Sequence, residues 1–493
     1  MTHAVLIVLI SLALLFILNV IFLLVLLKPR VKFKSSQTDN GILIVYASQS
    51  GQAESYAVRT VEQLIDSGYS VQTLNIADFN ADSLNNHHQV LWMVSTYGEG
   101  DAPDTGRQFI QKVMTKSFEL NDIQYAILAF GDRHYSNFCE FGKQIEAWLV
   151  DQHAQALFPM ICVDQLNQSD LAHWQTQLDK VFQHSPSKEL VLGQRPFQPV
   201  RLSERYLLNQ GSLGHPMYHL VLTQVEALSW QSGDILEIQC ANTHSQINEF
   251  IQTFKISVES GIDHLDISNI LKFKNLRTFD ASQNFDQWLL ESKDLPIREY
   301  SIASISSQNQ LELVVRQEIN EDGLGLGSGY LTQFLALGDI LNGRIRSNPA
   351  FHLIENDQPI ILIGNGSGIA GLMSHIRQRE SLDFQQNWLI YGERQQAIDV
   401  GFIEQLSLWK QSGVLTDVDL VFSRDSNSSK YVQDCLIAKS DQVKMWIERG
   451  ASIYICGSLK GMAQGVETAL IQILGYHDFE QLLEQKRYLR DVY

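Results

Sequence analysis

Apolar positions follow two rhythms along this chain. Between residues 41 and 184, short apolar runs at 42–46, 71–76, 89–95, 125–130 and 157–163 alternate with amphipathic stretches. Continuous short runs predict strands buried on both faces, and the stretches between them predict helices. Five strands alternating with helices predict a doubly wound parallel sheet. Between 201 and 353 the pattern becomes alternating, as in Tyr218–Thr223, Ile235–Cys240, Tyr300–Ala303 and Leu311–Arg316. That period predicts antiparallel strands and a β-barrel. From Pro359 the first rhythm returns, with strands expected at 359–363, 387–391, 418–422 and 452–456. Residues 185–200, with Pro186, Gly193, Pro196 and Pro199, read as a linker.

The N-terminus is different material. Ala4 to Leu27 carries no charge, and Ser11 and Asn19 are its only polar breaks. As a helix it would span about 36 Å, enough for a bilayer core. A cleaved signal peptide would want a basic segment ahead of a shorter apolar run and a small-residue cleavage site. Here the basic residues Lys28, Arg30, Lys32 and Lys34 come after the run. The expectation is a single-pass membrane anchor and basic tether over 1–34, with the catalytic domains cytoplasmic. The domains expected after it are 41–184, 201–353 and 356–493, with the linker at 185–200.

Composition narrows the function. Across 493 residues the net charge is −18, which argues against nucleic-acid binding and suits docking on a basic protein face. The five cysteines form no C-x-x-C pair, so no zinc or iron–sulfur site is evident, and the usage fits a reducing compartment.

Two strand–loop–helix turns stand out. One is Ser48-Gln49-Ser50-Gly51-Gln52-Ala53, after Ile42–Tyr46; the other is Gly364–Gly371, after Pro359–Ile363. Each directs backbone N–H groups and a helix N-terminus at an anion. Two more loops follow expected strands. They are Ser95-Thr96-Tyr97-Gly98-Glu99-Gly100-Asp101-Ala102-Pro103-Asp104 and Gly131-Asp132-Arg133-His134-Tyr135-Ser136-Asn137-Phe138-Cys139. Each offers a tyrosine, and two tyrosines can sandwich a planar ring.

This first half resembles flavodoxin. The run Ser95–Asp104 looks like the S-T-Y-G-E-G-D-x-P-D signature of diflavin reductases, the group of cytochrome P-450 reductase and the sulfite reductase flavoprotein. The resemblance implies FMN, with Ser48–Ala53 on its phosphate and Tyr97 and Tyr135 flanking its ring. Ser95, Thr96, Gly98, Gly131, Asp132, Phe138 and Asp164 would complete that site.

Farther on, Arg298-Glu299-Tyr300-Ser301 and Gly325-Leu326-Gly327-Ser328 resemble the R-x-Y-S and G-x-x-S motifs of ferredoxin–NADP reductase-type domains. These motifs imply FAD on the barrel, held by Arg298, Tyr300, Ser301, Gly325, Leu326, Gly327 and Ser328. Pro359–Gly371 is similar to that family's nicotinamide loop. Asn365, Ser367 and Gly371 stand where the family has Pro, Thr and Pro, so a more mobile loop is expected. Gly366, Ser367, Gly368 and Arg394, with the Ser423-Arg424 and Lys430-Tyr431-Val432-Gln433 set, imply NADPH. Arg and Lys beside Ser and Gln suit the 2′-phosphate. A strand-end cysteine is ordinarily packing, but the resemblance places Cys456 beside the nicotinamide, Asp491 near Cys456 and Tyr493 over the FAD ring. Ser301, Cys456, Asp491 and Tyr493 are thus the expected catalytic set.

The expected fold is a multidomain α/β protein: a transmembrane helix, a flavodoxin-like sheet, an FAD barrel and a Rossmann-like NADP domain. The expected activity is that of a membrane-anchored NADPH–haemoprotein reductase. Electrons would run from NADPH through FAD and FMN to a haemoprotein or other one-electron acceptor. One alternative is a sulfite reductase flavoprotein serving a sirohaem subunit, which the terminal Tyr493 favours. Another is an electron-carrying docking module for a membrane redox partner. Only about 55 residues separate Asn242 from Arg298, so the helical connecting insertion of full-length diflavin reductases is expected to be short or lost.

Overall fold

A computed structural model describes residues 31–32, 41–48, 51–84, 87–98, 100–133, 135–182, 196–225, 228–256, 264–320, 323–425 and 430–493. The chain divides into two compact units, Met1–Leu192 and Gly193–Tyr493.

The first unit is a doubly wound sheet. Its strands are β1 (Gly41–Ala47), β2 (Val71–Asn75), β3 (His87–Ser95), β4 (Gln124–Gly131) and β5 (Ile161–Asp164). All are parallel, in the order β2-β1-β3-β4-β5. The runs read as continuous because both faces are covered. Leu43, Val45 and Trp92 point to one face, against Phe141, Ile145 and Trp148. Ile42, Ile44 and Met93 point to the other, against Tyr56, Leu64, Trp174 and Leu178. The run expected as a strand at 157–163 is split into Gln155–Ala156 and Ile161–Asp164. Pro159 lies between the two pieces, where it has no N–H for the ladder.

The second unit holds two sheets. Six antiparallel strands form a barrel: β6 (Gln198–Leu207), β7 (Met217–Gln224), β8 (Ile235–Gln239), β9 (Ile297–Ser301), β10 (Gln310–Arg316) and β11 (Ile340–Arg346). Their order is β9-β8-β11-β6-β7-β10, and an Ile302–Leu313 bridge joins the two edges. Strands β6 and β11 were not expected from the sequence. Their polar residues obscure the alternation, and some of them are satisfied only by distant partners, as Arg344 is by Glu237. Between β8 and β9, three short helices at His244–Thr253, His264–Leu271 and Phe285–Glu291 pack a small core around Phe250, Leu271 and Trp288. This is what stands at the expected insertion.

The other sheet is parallel throughout: β12 (Ile360–Asn365), β13 (Asn387–Glu393), β14 (Asp417–Phe422), β15 (Ser452–Gly457) and β16 (Tyr488–Val492), ordered β14-β13-β12-β15-β16. Residues Tyr488–Val492, for which no strand was expected, therefore add a fifth strand. Barrel and sheet share a core in which Met217, Val314 and Phe351 meet Leu362, Met373 and Tyr454. A polar cluster accompanies that core: Glu312 accepts from His219 Nε2 at 2.8 Å and from Arg377 Nη2 at 2.9 Å.

The membrane expectation is corrected. The apolar segment Ala4–Leu27 lies outside the described residues. Among the described residues no helix is long and apolar enough to cross a membrane. Helices Gln52–Asp66 and Gln168–Phe182 have 15 residues each and bury only one face, whereas a span needs about 20 apolar residues. The single-pass placement is therefore withdrawn.

The Glu312 cluster sets a test of the second unit. Burial alone would raise its carboxyl, but the bonds from His219 and Arg377 outweigh burial and hold it at about 2. A depressed carboxylate contributes stability above its unfolded value, and that stability is lost as pH falls from about 4.5 through about 2. Glu312→Gln removes the charge that pairs with the part-buried Arg377 guanidinium, which keeps its bond to Ala303 O, and should lower unfolding stability by about 1–3 kcal/mol at pH 7. Denaturant unfolding of the two proteins at pH 7 and pH 3 should show the gap narrowing in acid.

Candidate cofactor and hydride-transfer sites

In the first unit, three loops leave the carboxyl ends of β1, β3 and β4, which is where open α/β sheets bind ligands. Gly51 has φ 77 and opens helix α1 (Gln52–Asp66) with no side-chain cap. Gln52 and Ala53 form its first turn, so their N–H groups are unspent. The Ser48 hydroxyl is buried without a hydrogen-bond partner. An orphaned hydroxyl beside an uncapped helix start fits a phosphate. Gln49 and Ser50 lie outside the described residues.

The two tyrosine loops meet. A Cβ on Gly100 would sit 2.7 Å from Asn137 Cβ, so only glycine lets them abut. Tyr97 closes a tight turn with Asp101, with Gly98 at φ 50. Ser95 Oγ donates to Ala47 O at 3.2 Å and ties β3 to β1, and Thr96 Oγ1 accepts from Phe141 N at 3.2 Å and ties its loop to the start of helix Glu140–Asp151. Tyr135 is 42% exposed. Gly131 leaves room for Cys139 and Phe138, and the Arg133 guanidinium covers the Phe138 ring at 4.7 Å. Asp132 accepts from Gln165 Nε2 at 2.7 Å. Asp164 accepts from Arg133 N at 3.0 Å, so it braces the third loop.

In the second unit, Gly327 packs against β9. A Cβ there would lie 2.5 Å from Tyr300 Oη and 2.6 Å from Arg298 Cγ, so the two expected motifs form one cradle. Gly325 and Leu326 begin a short helix, Leu326–Gly329, which is ordered and not a free surface loop. Ser328 Oγ accepts from Glu318 N at 2.9 Å and holds that turn in place.

A buried carboxylate joins both sheets. Asp491 Oδ2 accepts from Ser301 Oγ at 2.6 Å and from Cys456 Sγ at 3.7 Å. Burial raises the Asp491 carboxyl, and the Ser301 bond opposes the rise. Burial and then the Asp491 charge push the Cys456 thiol well up. Cys456 is therefore a neutral donor and not a nucleophile. Tyr493 continues from β16. Its N donates to Gly457 O at 3.0 Å, its O accepts from Leu459 N at 2.9 Å, and its hydroxyl pairs with Ser367 Oγ at 2.9 Å.

The nucleotide loop sits on the end of β15: a Cβ on Gly364 would come 2.6 Å from Cys456 O, and one on Gly368 would be closer still. Gly366 has φ 56, and its carbonyl accepts from Tyr391 Oη at 2.8 Å. The loop was expected to be more mobile because Asn365, Ser367 and Gly371 stand for Pro, Thr and Pro. Asn365 spans to Ser458, accepting from its N at 3.0 Å and donating to its Oγ at 3.3 Å. Gly371 spares the space that Cys456 Sγ and Phe351 fill.

Ladder bonds Ser423 N to Glu393 O and Arg424 N to Arg394 O, at 2.9 and 2.8 Å, set Arg394 beside Arg424. Arg394 lies against Gly214, while Arg424 and Lys430 are exposed. Asp434 caps the N–H groups of Lys430 and Tyr431. Gln433 Oε1 is buried without a partner, a second orphan that fits a bound ligand. Sequence reasoning passed over Arg316, whose guanidinium nears Gly366 and pairs with Glu393 at 2.8 Å. Its place at the end of an expected strand was the only signal.

Comparison with known proteins adds to this geometry. Residues 44–174 match the flavodoxin family, and residues 362–468 match the oxidoreductase NAD-binding domain family. The chain is similar to the sulfite reductase [NADPH] flavoprotein alpha-component of Aliivibrio fischeri, at 26% identity over 93% of this chain and 90% of that protein. The proteins of the same name from Vibrio vulnificus and Bacillus subtilis are each 26% identical, over 92% of this chain and 87% and 89% of theirs.

The Gly327 contact yields a measurable outcome. Gly327→Ala should displace the cradle and lower extracted FAD well below one per chain while extracted FMN is unchanged, as read by flavin chromatography.

Proposed function

Because the chain belongs to the diflavin reductase family, with FMN, FAD and NADPH as its cofactors, we propose that it is the flavin-bearing component of a sulfite reductase-type enzyme. It takes electrons from NADPH and passes them through FAD and FMN to a separate sirohaem protein. The Asp491 carboxylate shared by Ser301 and Cys456, beside a nucleotide loop, is the observation that carries the NADPH oxidoreductase reading. The relatives' names favour sulfite reductase over the cytochrome P-450 reductase-type activity first expected. A docking module without turnover would have no need of that carboxylate cluster.

When bound, NADPH supplies hydride, FAD accepts it, and FMN passes electrons on singly. The chain supplies position and charge. Ser48 and the α1 N-terminus hold one phosphate, with Tyr97 and Tyr135 at the ring. Arg298, Tyr300 and Gly327 seat the FAD. Gly366, Ser367 and Gly368 bind the nucleotide pyrophosphate, with Arg394, Ser423, Arg424, Lys430, Tyr431 and Gln433 around the 2′-phosphate. By accepting from both, Asp491 fixes the positions of the Ser301 hydroxyl and the Cys456 thiol at the place where hydride would move. Tyr493 covers that place until the nucleotide arrives.

The test is reconstitution. The purified chain should carry FMN and FAD in equal amounts and reduce cytochrome c with NADPH. Adding the sirohaem component of a relative's sulfite reductase should yield sulfide. Cytochrome c reduction without sulfide would overturn the acceptor. Two variants sharpen the assignment. Arg424→Ala with Lys430→Ala should raise KM for NADPH more than tenfold and leave NADH unchanged. Asp491→Asn should slow flavin reduction by about 100-fold at constant flavin content, as followed by stopped-flow bleaching.

A further inference from the structure

Two thiols that this mechanism does not use lie together under the third loop of the first unit. Cys139 ends the loop that begins at Gly131 and carries Tyr135. It stands at the start of helix Glu140–Asp151 in a left-handed conformation, φ 56. Cys162 is in β5, where its partner across the ladder is Ala129 of β4. The Cys139 thiol donates to the carbonyl of that same Ala129 at 3.3 Å. Both side chains lie on one face of the sheet, packed with Phe138, Phe141 and Met160. Parallel register has thus placed a loop cysteine and a strand cysteine side by side. No spacing in the sequence announces the pair.

The two differ in character. Cys139 is fully buried, and Cys162 is partly exposed. Their mutual proximity raises Cys139 and lowers Cys162, and Lys143 and Arg133 help lower Cys162 against the effect of burial. A partly exposed thiol shifted toward its thiolate beside a buried thiol is the arrangement of an attacking and a resolving cysteine.

We propose that Cys139 and Cys162 form a peroxide-sensitive dithiol, whose disulfide straps the Gly131–Cys139 loop to β5. The Cys162 thiolate attacks one peroxide oxygen. The O–O bond breaks, and the departing hydroxide is protonated to water. The sulfur of Cys139 then attacks the resulting sulfenic acid. The S–O bond breaks, and hydroxide leaves as water with the Cys139 proton. Two thiols lose two electrons, and one hydrogen peroxide becomes two waters. Strand β5 already holds the other end of the loop through the Asp164–Arg133 bond. Oxidation therefore fastens both ends of the segment that bears Tyr135. Its effect on electron transfer rests on the FMN reading above; the oxidation itself does not.

The experiment uses the full chain with its flavins, treated with hydrogen peroxide, alkylated, digested and analysed by mass spectrometry. A Cys139–Cys162 linked peptide should appear and vanish with dithiothreitol. NADPH-driven cytochrome c reduction should fall several-fold and recover on reduction. Cys162→Ser should abolish both changes. Cys139→Ser should leave a sulfenic acid on Cys162 that dimedone traps. Peroxide treatment that leaves both thiols intact, or takes Cys162 to the sulfinic acid with no linkage, would overturn the dithiol. Linkage with an unchanged rate would overturn the strap. Loss of activity before any peroxide is added would count against the electron-transfer reading alone, since the linked peptide is read by mass.

Discussion

The second unit depends on one buried carboxylate. Asp491 belongs to β16, yet its Oδ2 is bonded by a serine from the barrel strand β9 and a thiol from β15. A buried anion is costly unless its lone pairs are occupied. The barrel and the parallel sheet must therefore keep their registers to within hydrogen-bond distance, or the carboxylate loses its donors. The shared core around Met217, Phe351 and Tyr454 supplies the apolar area that holds those registers. The Glu312 and Arg316 ion pairs fix the rotation about it.

The same economy governs the first unit. Five parallel strands end at one edge, so the three loops that must meet a ligand need no long excursions. Glycines do the fine positioning. Gly100 lets two loops touch, and Gly106 makes room for Phe141. Several side chains expected at the ligand site also brace the loops that would carry it. Ser95 ties β3 to β1, Thr96 holds the start of a helix, and Asp164 anchors Arg133. These braces set where the unspent donors point.

How much was legible in the sequence follows from where each residue finds its partners. Strands β1, β3 and β4, and likewise β12 and β15, are buried on both faces, so their apolar runs declare them. Strands β6 and β11 carry Arg, Glu, Asn and Pro; Arg344 is satisfied by Glu237 across the sheet, and no local pattern encodes that. The motif glycines could be read through resemblance. The reason for Gly327, close approach to Tyr300, is visible only in three dimensions. Asn365 was read as a lost proline and hence as looseness, because its bond to Ser458 spans two strands far apart in sequence. Arg316 was missed for the same cause.

The way Tyr493 is held has a mechanical consequence. Its N–H and C=O pair with Gly457 at the end of β15 and Leu459 just beyond it, while the residue is 55% exposed and its hydroxyl pairs with Ser367 Oγ. Breaking such a contact costs about 1 kcal/mol; unzipping a strand costs far more. The phenol can therefore pivot about its own side-chain bonds with the sheet undisturbed. Displacing the ring is thus a local event that leaves the neighbouring carboxylate in place.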